Sequence, residues 1–317
     1  MKNAVPVTLR VARIAISIVV LALVTYAIVA GLMNVPRLAR LFVKVQFFPA
    51  AVAFSLTTIA AWLLVTLIFG RVYCSTVCPL GTVQDICARI PRLFSRNPRW
   101  HYHYAPPLSL VRNICVGVMV LGVFLGITMI TKLLDPFSIY NRFCLYVLEP
   151  ATQRLIEALG YPPLKIAAAS IFGVISSTVI ILIVAAVAFR RGRTFCNTVC
   201  PVGTALGYVS RYAIFHIDIN TDLCTQCRKC EHVCKASCID LQSHVVDSSR
   251  CVNCFDCLPV CPNDAIHYTS TRHQLSIPMM QQLRNPLAGG AASMRKSDAA
   301  TTLVTPDTDE TISRPAQ

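Results

Sequence analysis

Four stretches of this chain abandon any alternation of polar and apolar residues and stay apolar for about the width of a bilayer. They are Ile14–Met33, Phe47–Phe69, Ile114–Thr131 and Ile166–Phe189. At 1.5 Å per helical residue, each approaches the roughly 30 Å of hydrocarbon that a spanning helix must cross. The third is the shortest, and it gains Leu133 and Leu134 if Lys132 snorkels. The first follows Lys2, Arg10 and Arg13, as a secretion leader would. Its apolar core exceeds the roughly 7–15 residues of a cleaved leader and three more runs follow, so a retained helix is predicted.

The segments between the runs are more polar. Asn34–Gln46 is a short loop, and Val83–Phe94 mixes apolar residues with arginines as an interfacial segment does, with Pro91 expected to break any helix. Arg96–Pro107 carries Asn97-Pro98 and Pro106-Pro107 and reads as a loop. Lys132–Lys165 contains D-P-F-S at Asp135–Ser138 and an amphipathic stretch at Ala151–Leu159. Ile214–Ile219 alternates as a strand, with His267–Ser270 as its expected partner. Residues 276–317 are rich in Ala, Ser, Thr and Asp without periodicity, and a disordered tail is expected there.

The net charge of +14 at first suggests nucleic acid, but its placement argues for membrane topology. With four spans both termini share one side. That side holds Lys2, Arg10, Arg13, Arg71, Arg89, Arg92, Arg96, Arg99, Arg112, Arg190, Arg191, Arg193 and Arg211. The other side holds Arg37, Arg40, Lys44, Lys132, Arg142, Arg154 and Lys165. Thirteen against seven places both termini in the cytoplasm and makes a nucleic-acid partner unnecessary.

Two stretches repeat at a separation of 122 residues. G-R-V-Y-C-S-T-V-C-P-L-G-T (Gly70–Thr82) follows the second run, and G-R-T-F-C-N-T-V-C-P-V-G-T (Gly192–Thr204) follows the fourth. The helical part therefore reads as a duplication of a helix hairpin, each copy ending in C-x3-C-P-x-G-T. A lone thiol at a helix end is commonly a small buried hydrophobe. Two pairs at equivalent positions are different: Cys74, Cys78, Cys196 and Cys200 could converge near the pseudo-twofold axis. Four thiolates at one point suit a further iron–sulfur cluster or a soft metal such as Cu(I) or Zn(II). Redox-active dithiols and contacts to a partner subunit are the other readings.

The densest chemistry lies at Cys224–Pro262, where C-x2-C-x2-C-x3-C occurs twice. In this bacterial ferredoxin run three cysteines wrap one [4Fe–4S] cube and the fourth reaches the other cube. Cys224, Cys227, Cys230 and Cys261 then hold one cluster, and Cys251, Cys254, Cys257 and Cys234 the second. A disulfide framework disagrees with a cytoplasmic location, and structural zinc sites do not stack a third cysteine at this spacing. Cys87, Cys115, Cys144 and Cys238 are left as packing residues; Cys238 corresponds to Ala265 in the other half, and Lys235 replaces the proline that follows Cys261.

None of the seven histidines lies in a span and no C-x2-C is followed by His, which removes transmembrane bis-His haem and covalent c-type haem. No dinucleotide fingerprint or P-loop occurs. The domain organisation read from the chain is a four-helix membrane domain (1–211), a small α+β dicluster ferredoxin domain (212–275) and a tail (276–317). Together the two C-x3-C-P motifs, the D-P-F-S segment and the C-terminal double cluster run resemble the NapH-type membrane polyferredoxins, over about Ile14–Ser270. The resemblance implies cytoplasmic clusters and a role for Cys74, Cys78, Cys196 and Cys200 in electron transfer or partner contact.

The function expected is a multi-pass electron-transfer subunit of the bacterial inner membrane. It would pass single electrons between a redox partner or the quinone pool and two [4Fe–4S] clusters. A quinol would sit near Arg71 or Arg193, for which positive-inside charge is the competing account. The alternative function is a copper reductase or redox sensor that uses the membrane thiols. A third is an assembly protein whose clusters only hold the fold.

Overall fold

The computed structural model describes residues 4–31, 36–44, 46, 56–94, 101–126, 133–160 and 170–270. The predicted tail lies outside them, as do residues 47–55 and 127–132, which belong to the predicted second and third spans. The helices of the N-terminal part are α1 (Ala4–Val29), α2 (Arg37–Lys44), α3 (Leu56–Phe69), α4 (Val72–Thr76), α5 (Pro79–Phe94) and α6 (Ser109–Phe124). They continue with α7 (Pro136–Phe143), a π-helical turn (Cys144–Leu148), α8 (Glu149–Ala158), α9 (Ile171–Arg191), α10 (Thr194–Thr198) and α11 (Pro201–Ser210). The cysteine-rich part holds β1 (His216–Ile219), α12 (Lys229–Val233), β2 (Ile239–Asp240), β3 (Val245–Val246) and β4 (Ile266–Thr269). Both parts belong to one compact unit, Met1–Gln274.

Among the described residues two helices are long and apolar enough to cross a membrane, Pro6–Val29 and Ile171–Arg191; α3 and α6 are shorter apolar helices. Their outward faces are apolar, with Ile16, Val19, Leu64, Ile114, Leu182 and Ile183 all exposed. The short helices that follow the glycine–arginine pairs pack crosswise: α5 lies on α1 and α9, and α11 lies on α6 and α3.

Three expectations change. Pro91 does not end α5, which runs unbroken to Phe94. A proline removes a single helical hydrogen bond, and here α5 is pinned along its length by α9 and α1. The loop at Asn34–Gln46 contains helix α2, and its Gln46 folds back on the first cysteine motif, donating to the Val77 carbonyl (3.2 Å) and accepting from Tyr73 Oη (2.9 Å). The D-P-F-S segment also turns inward. Asp135 caps α7 by accepting from Ser138 N (2.6 Å), with Pro136 in the first turn where its missing N–H costs nothing. Phe137, Ile139 and Tyr140 then enter the same apolar core as Cys74, Cys78 and Cys200. Tyr140 Oη meets Thr25 Oγ1 at 2.6 Å, about 18 Å along α1 from Arg13 by helical rise.

The cysteine-rich part closes on two small antiparallel ladders. β1 pairs with β4 in the register Ile217↔Tyr268 and Ile219↔Ile266, joining the alternating stretch to its expected partner, and β2 pairs with β3. Ile217, Ile219, Ile239, Val246 and Ile266 fill the space between the cysteine loops.

Candidate iron–sulfur sites

The two cysteine runs fold into matching loops. Gln226, Arg228 and Ser237 have left-handed backbones in the first half, and Asn253, Phe255 and Asp264 have them in the second. Each pair lies at the same distance from the cysteines of its own half. Left-handed non-glycine residues cost of order 1–3 kcal/mol each and persist where surrounding structure enforces them. Six of them at matched positions mark loops whose shape is set by what they enclose.

Two cavities result. One is lined by Cys224, Cys227, Cys230 and Cys261. The other is lined by Cys234, Cys251, Cys254 and Cys257, together with Cys238. Each thus carries the four thiols assigned to one cluster, including the residue that crosses from the other half. The donor set and the enclosure fit a four-iron cube. Among the described residues no three His, Cys, Asp or Glu side chains gather around a single point as one metal ion requires. Burial pushes the thiols of Cys230 and Cys254 up to about 12, and each must shed its proton to bind metal.

The cavities differ in exposure. Cys227 is exposed, and Cys224 and Cys261 are half-buried, so the first opens outward. The second faces the helices. Val252 and Cys254 pack into the apolar core that contains Cys74, Cys78 and Cys200. Asn253 fixes this contact, its Nδ2 donating to the Phe69 carbonyl at the end of α3 while its Oδ1 lies 3.3 Å from Cys251 Sγ.

The four thiols of the repeated motif are buried within electrostatic reach of one another. Cys74, Cys78, Cys196 and Cys200 are all under 5 % exposed. Burial pushes the Cys196 thiol up to about 11 against the pull of Arg193 and Arg71, and raises Cys200, which also feels Cys196, Cys74 and Cys78. Crossed arginines bind the two motifs. Arg71 donates to Asn197 Oδ1 (3.0 Å), to the Cys196 carbonyl (3.4 Å) and to the Ser249 carbonyl (2.9 Å). Arg193 donates to the Cys74 carbonyl (2.5 Å) and the Gly81 carbonyl (3.1 Å). Both are fully buried by these contacts, so the folded chain presents neither side chain at its surface.

A chain of buried ions joins this core to the second cavity. Asp85 Oδ1 lies 2.8 Å from Arg193 Nε and 3.0 Å from Lys235 Nζ, and its Oδ2 lies 2.6 Å from Arg13 Nη2. Lys235 Nζ reaches Asp256 Oδ2 at 2.8 Å, and Asp256 also meets Arg10 (2.9 Å) and Arg89 (3.2 Å). Burial alone would push the Asp85 carboxyl up; Arg193, Lys235 and Arg13 outweigh it and hold the group well below the usual range. Lys235 is thus the buried tie between the two parts, a role that sequence offered only as an altered turn. Gly192 lets the parts close: with φ +63, it packs so tightly on the Lys235 backbone that a Cβ would collide with it.

Cys238 is buried in the core of the cysteine-rich part. Its Sγ lies 3.5 Å from that of Cys234, in the second cavity itself. With the Ala236, Ser237 and Cys238 backbone groups, the Cys238 thiol holds the Cys234 thiol below its usual range. Only the equivalence with Ala265, legible in the spacing, marked this position beforehand.

Comparison with known proteins gives matching signals. The 4Fe–4S binding domain family matches residues 51–100 and 172–220, the two stretches that carry the C-x3-C-P motifs. The ferredoxin-type protein NapH of Escherichia coli is 27% identical over 230 residues, 70% of this chain and 69% of its own. The protein YccM of the same organism, whose name assigns it provisionally to electron transport, is 26% identical over 243 residues, 74% of this chain. An uncharacterized protein of Methanocaldococcus jannaschii is 34% identical over 76 residues, 24% of this chain. The chain spans 59% of YccM and 30% of the archaeal protein. No solved structure matches.

Proposed function

We propose, taking the chain as a relative of the ferredoxin-type electron-transport proteins, that it passes single electrons between a membrane redox partner or the quinone pool and two [4Fe–4S] clusters. The chain would cross the bacterial inner membrane four times as duplicated hairpins, with both termini and the cysteine loops in the cytoplasm. Clusters of this type, when bound, supply one-electron transfer without proton chemistry of their own. Cys224, Cys227, Cys230 and Cys261 hold the outward one; Cys251, Cys254, Cys257 and Cys234 hold the inward one.

One observation carries this reading: the second cavity abuts the core where Cys74, Cys78 and Cys200 lie, with the Arg193–Asp85–Lys235 ion chain beside it. The four membrane thiols are then a third redox or metal site between membrane and cytoplasm. The family match over both motifs supports iron–sulfur chemistry there. The crosswise packing of α5 and α11 supports the duplication. Around this site the chain's own residues exclude water, and Arg71 and Arg193 place positive charge where an anionic thiolate group would need it. The quinone reading moves to the open groove between α5 and α9, where exposed Arg190 and Arg191 edge an apolar wall that includes Ile90, Leu182 and Phe195.

The test is iron and acid-labile sulfide per chain on anaerobically purified protein, beside a variant with Cys74, Cys78, Cys196 and Cys200 all changed to Ala. Two cubes predict about eight irons in the variant, and a third iron–sulfur site predicts clearly more in the native chain. Equal counts of about eight would remove the third iron site, and copper lost in the variant would favour the metal-reductase alternative. Fewer than eight irons in intact native protein would overturn the dicluster reading.

A further inference from the structure

The two cluster cavities carry matching sets of four cysteines, and at one further matched position only the second carries a thiol. In the first cavity Ala265, from the second half, follows Cys261 by four residues and sends its backbone N–H to Cys261 Sγ (3.2 Å). In the second cavity the same place is taken by Cys238, four residues after Cys234, with its backbone N–H likewise directed at the Cys234 sulfur. The left-handed residues Ser237 and Asp264, one position earlier in each half, confirm the equivalence. Packing does not call for sulfur here, because an alanine closes the other loop. The second cavity therefore presents five thiols where a cube takes four. Cys238 is 1 % exposed, touches Cys234 and also interacts with Cys251, so it stands between two of the assigned ligands.

We propose that Cys238 is a reserve ligand of the second cluster, able to take the iron corner that Cys234 holds. This rests on the dicluster reading above. The exchange is a substitution without net redox change. A bond from iron to Cys238 Sγ forms as the bond to Cys234 Sγ breaks, and the proton released by the Cys238 thiol passes to the Cys234 thiolate 3.5 Å away. Both sulfurs already line the cavity. The first cluster, with Ala265 in that place, has no such reserve.

The experiment uses the full chain, purified anaerobically, with iron, labile sulfide and the electron paramagnetic resonance of the reduced protein as readouts. Native protein and Cys238→Ala should both hold the full iron complement. Cys234→Ala should keep it too, with a shifted spectrum from the second cluster, whereas the double variant Cys234→Ala/Cys238→Ala should lose about four irons or a corner of the cube. A Cys234→Ala protein that loses as much iron as the double variant would overturn the proposal. A native chain without the two clusters would instead remove the reading beneath it. Should Cys234→Ala fail to accumulate, the first cavity supplies the converse. Cys261→Ala should lose iron, and adding Ala265→Cys should restore it; failure to restore it, with Cys261→Ala itself folded, also sinks the idea.

Discussion

Asp85 accepts from Arg13 and Arg193 and faces Lys235, so a single carboxylate holds three cations inside the protein. Neutralising it leaves those charges without their counterion, and breaking a buried pair from one side typically costs about 3–5 kcal/mol. Asp85→Asn should lower the thermal unfolding midpoint in detergent by that measure; an unchanged midpoint would show that the network only orients the two parts. The pH dependence follows from the sign of the shift. The folded carboxyl titrates below its unfolded value, so its stabilisation is complete above about pH 4–5 and drains away as acid approaches the folded value. Acid unfolding of the native chain should therefore steepen below about pH 4, and Asp85→Asn should flatten that limb. A limb of equal slope in both would place the acid-sensitive group elsewhere.

At the scale of elements, the cysteine loops were legible because ligand chemistry fixes their spacing: three thiols wrap one volume only at short, regular intervals. The strands were legible too, since Ile217 and Ile219 alternate with polar residues. The crossing of Arg71 and Arg193 was not. Their acceptors lie more than a hundred residues away, and an arginine after an apolar run looks the same whether it points to water or into the core. Pro91 misled for a related reason, because a local rule about helix breaking says nothing of the neighbours that hold α5 straight. The matched left-handed loops separate local strain from docking. Gln226 is exposed with a left-handed backbone, so Gln226→Gly loses little packing and should leave stability unchanged or raise it. Asn253→Gly relieves the same backbone but strips the bond to the Phe69 carbonyl, and should cost about 1–3 kcal/mol. Thermal loss of the cluster absorbance in both variants is the comparison, and equal midpoints would mean that Asn253 does not fasten the second loop to α3.

For the whole molecule the open question of sidedness turns on when charge is read. Arg13, Arg71, Arg112 and Arg193 are buried in the folded chain, yet each counted toward the cytoplasmic excess. On the four-span reading, insertion would precede those contacts, and the segments would meet the membrane as unfolded runs with bare arginines, before Asp85 or the motif carbonyls can mask the charge. Burial then adds a second reason for the same orientation. Asp85, Lys235 and Asp256 weld the cysteine loops to the end of α1 that bears Arg10 and Arg13, so wherever that end lies, the loops lie too. Alkaline phosphatase, active only after export, should thus stay inactive when fused after Gln317 and become active when fused after Gly160, in the connection between the predicted third and fourth spans. The reverse pattern would put the clusters outside, where the outward-facing first cavity would meet an exported partner rather than a cytoplasmic one.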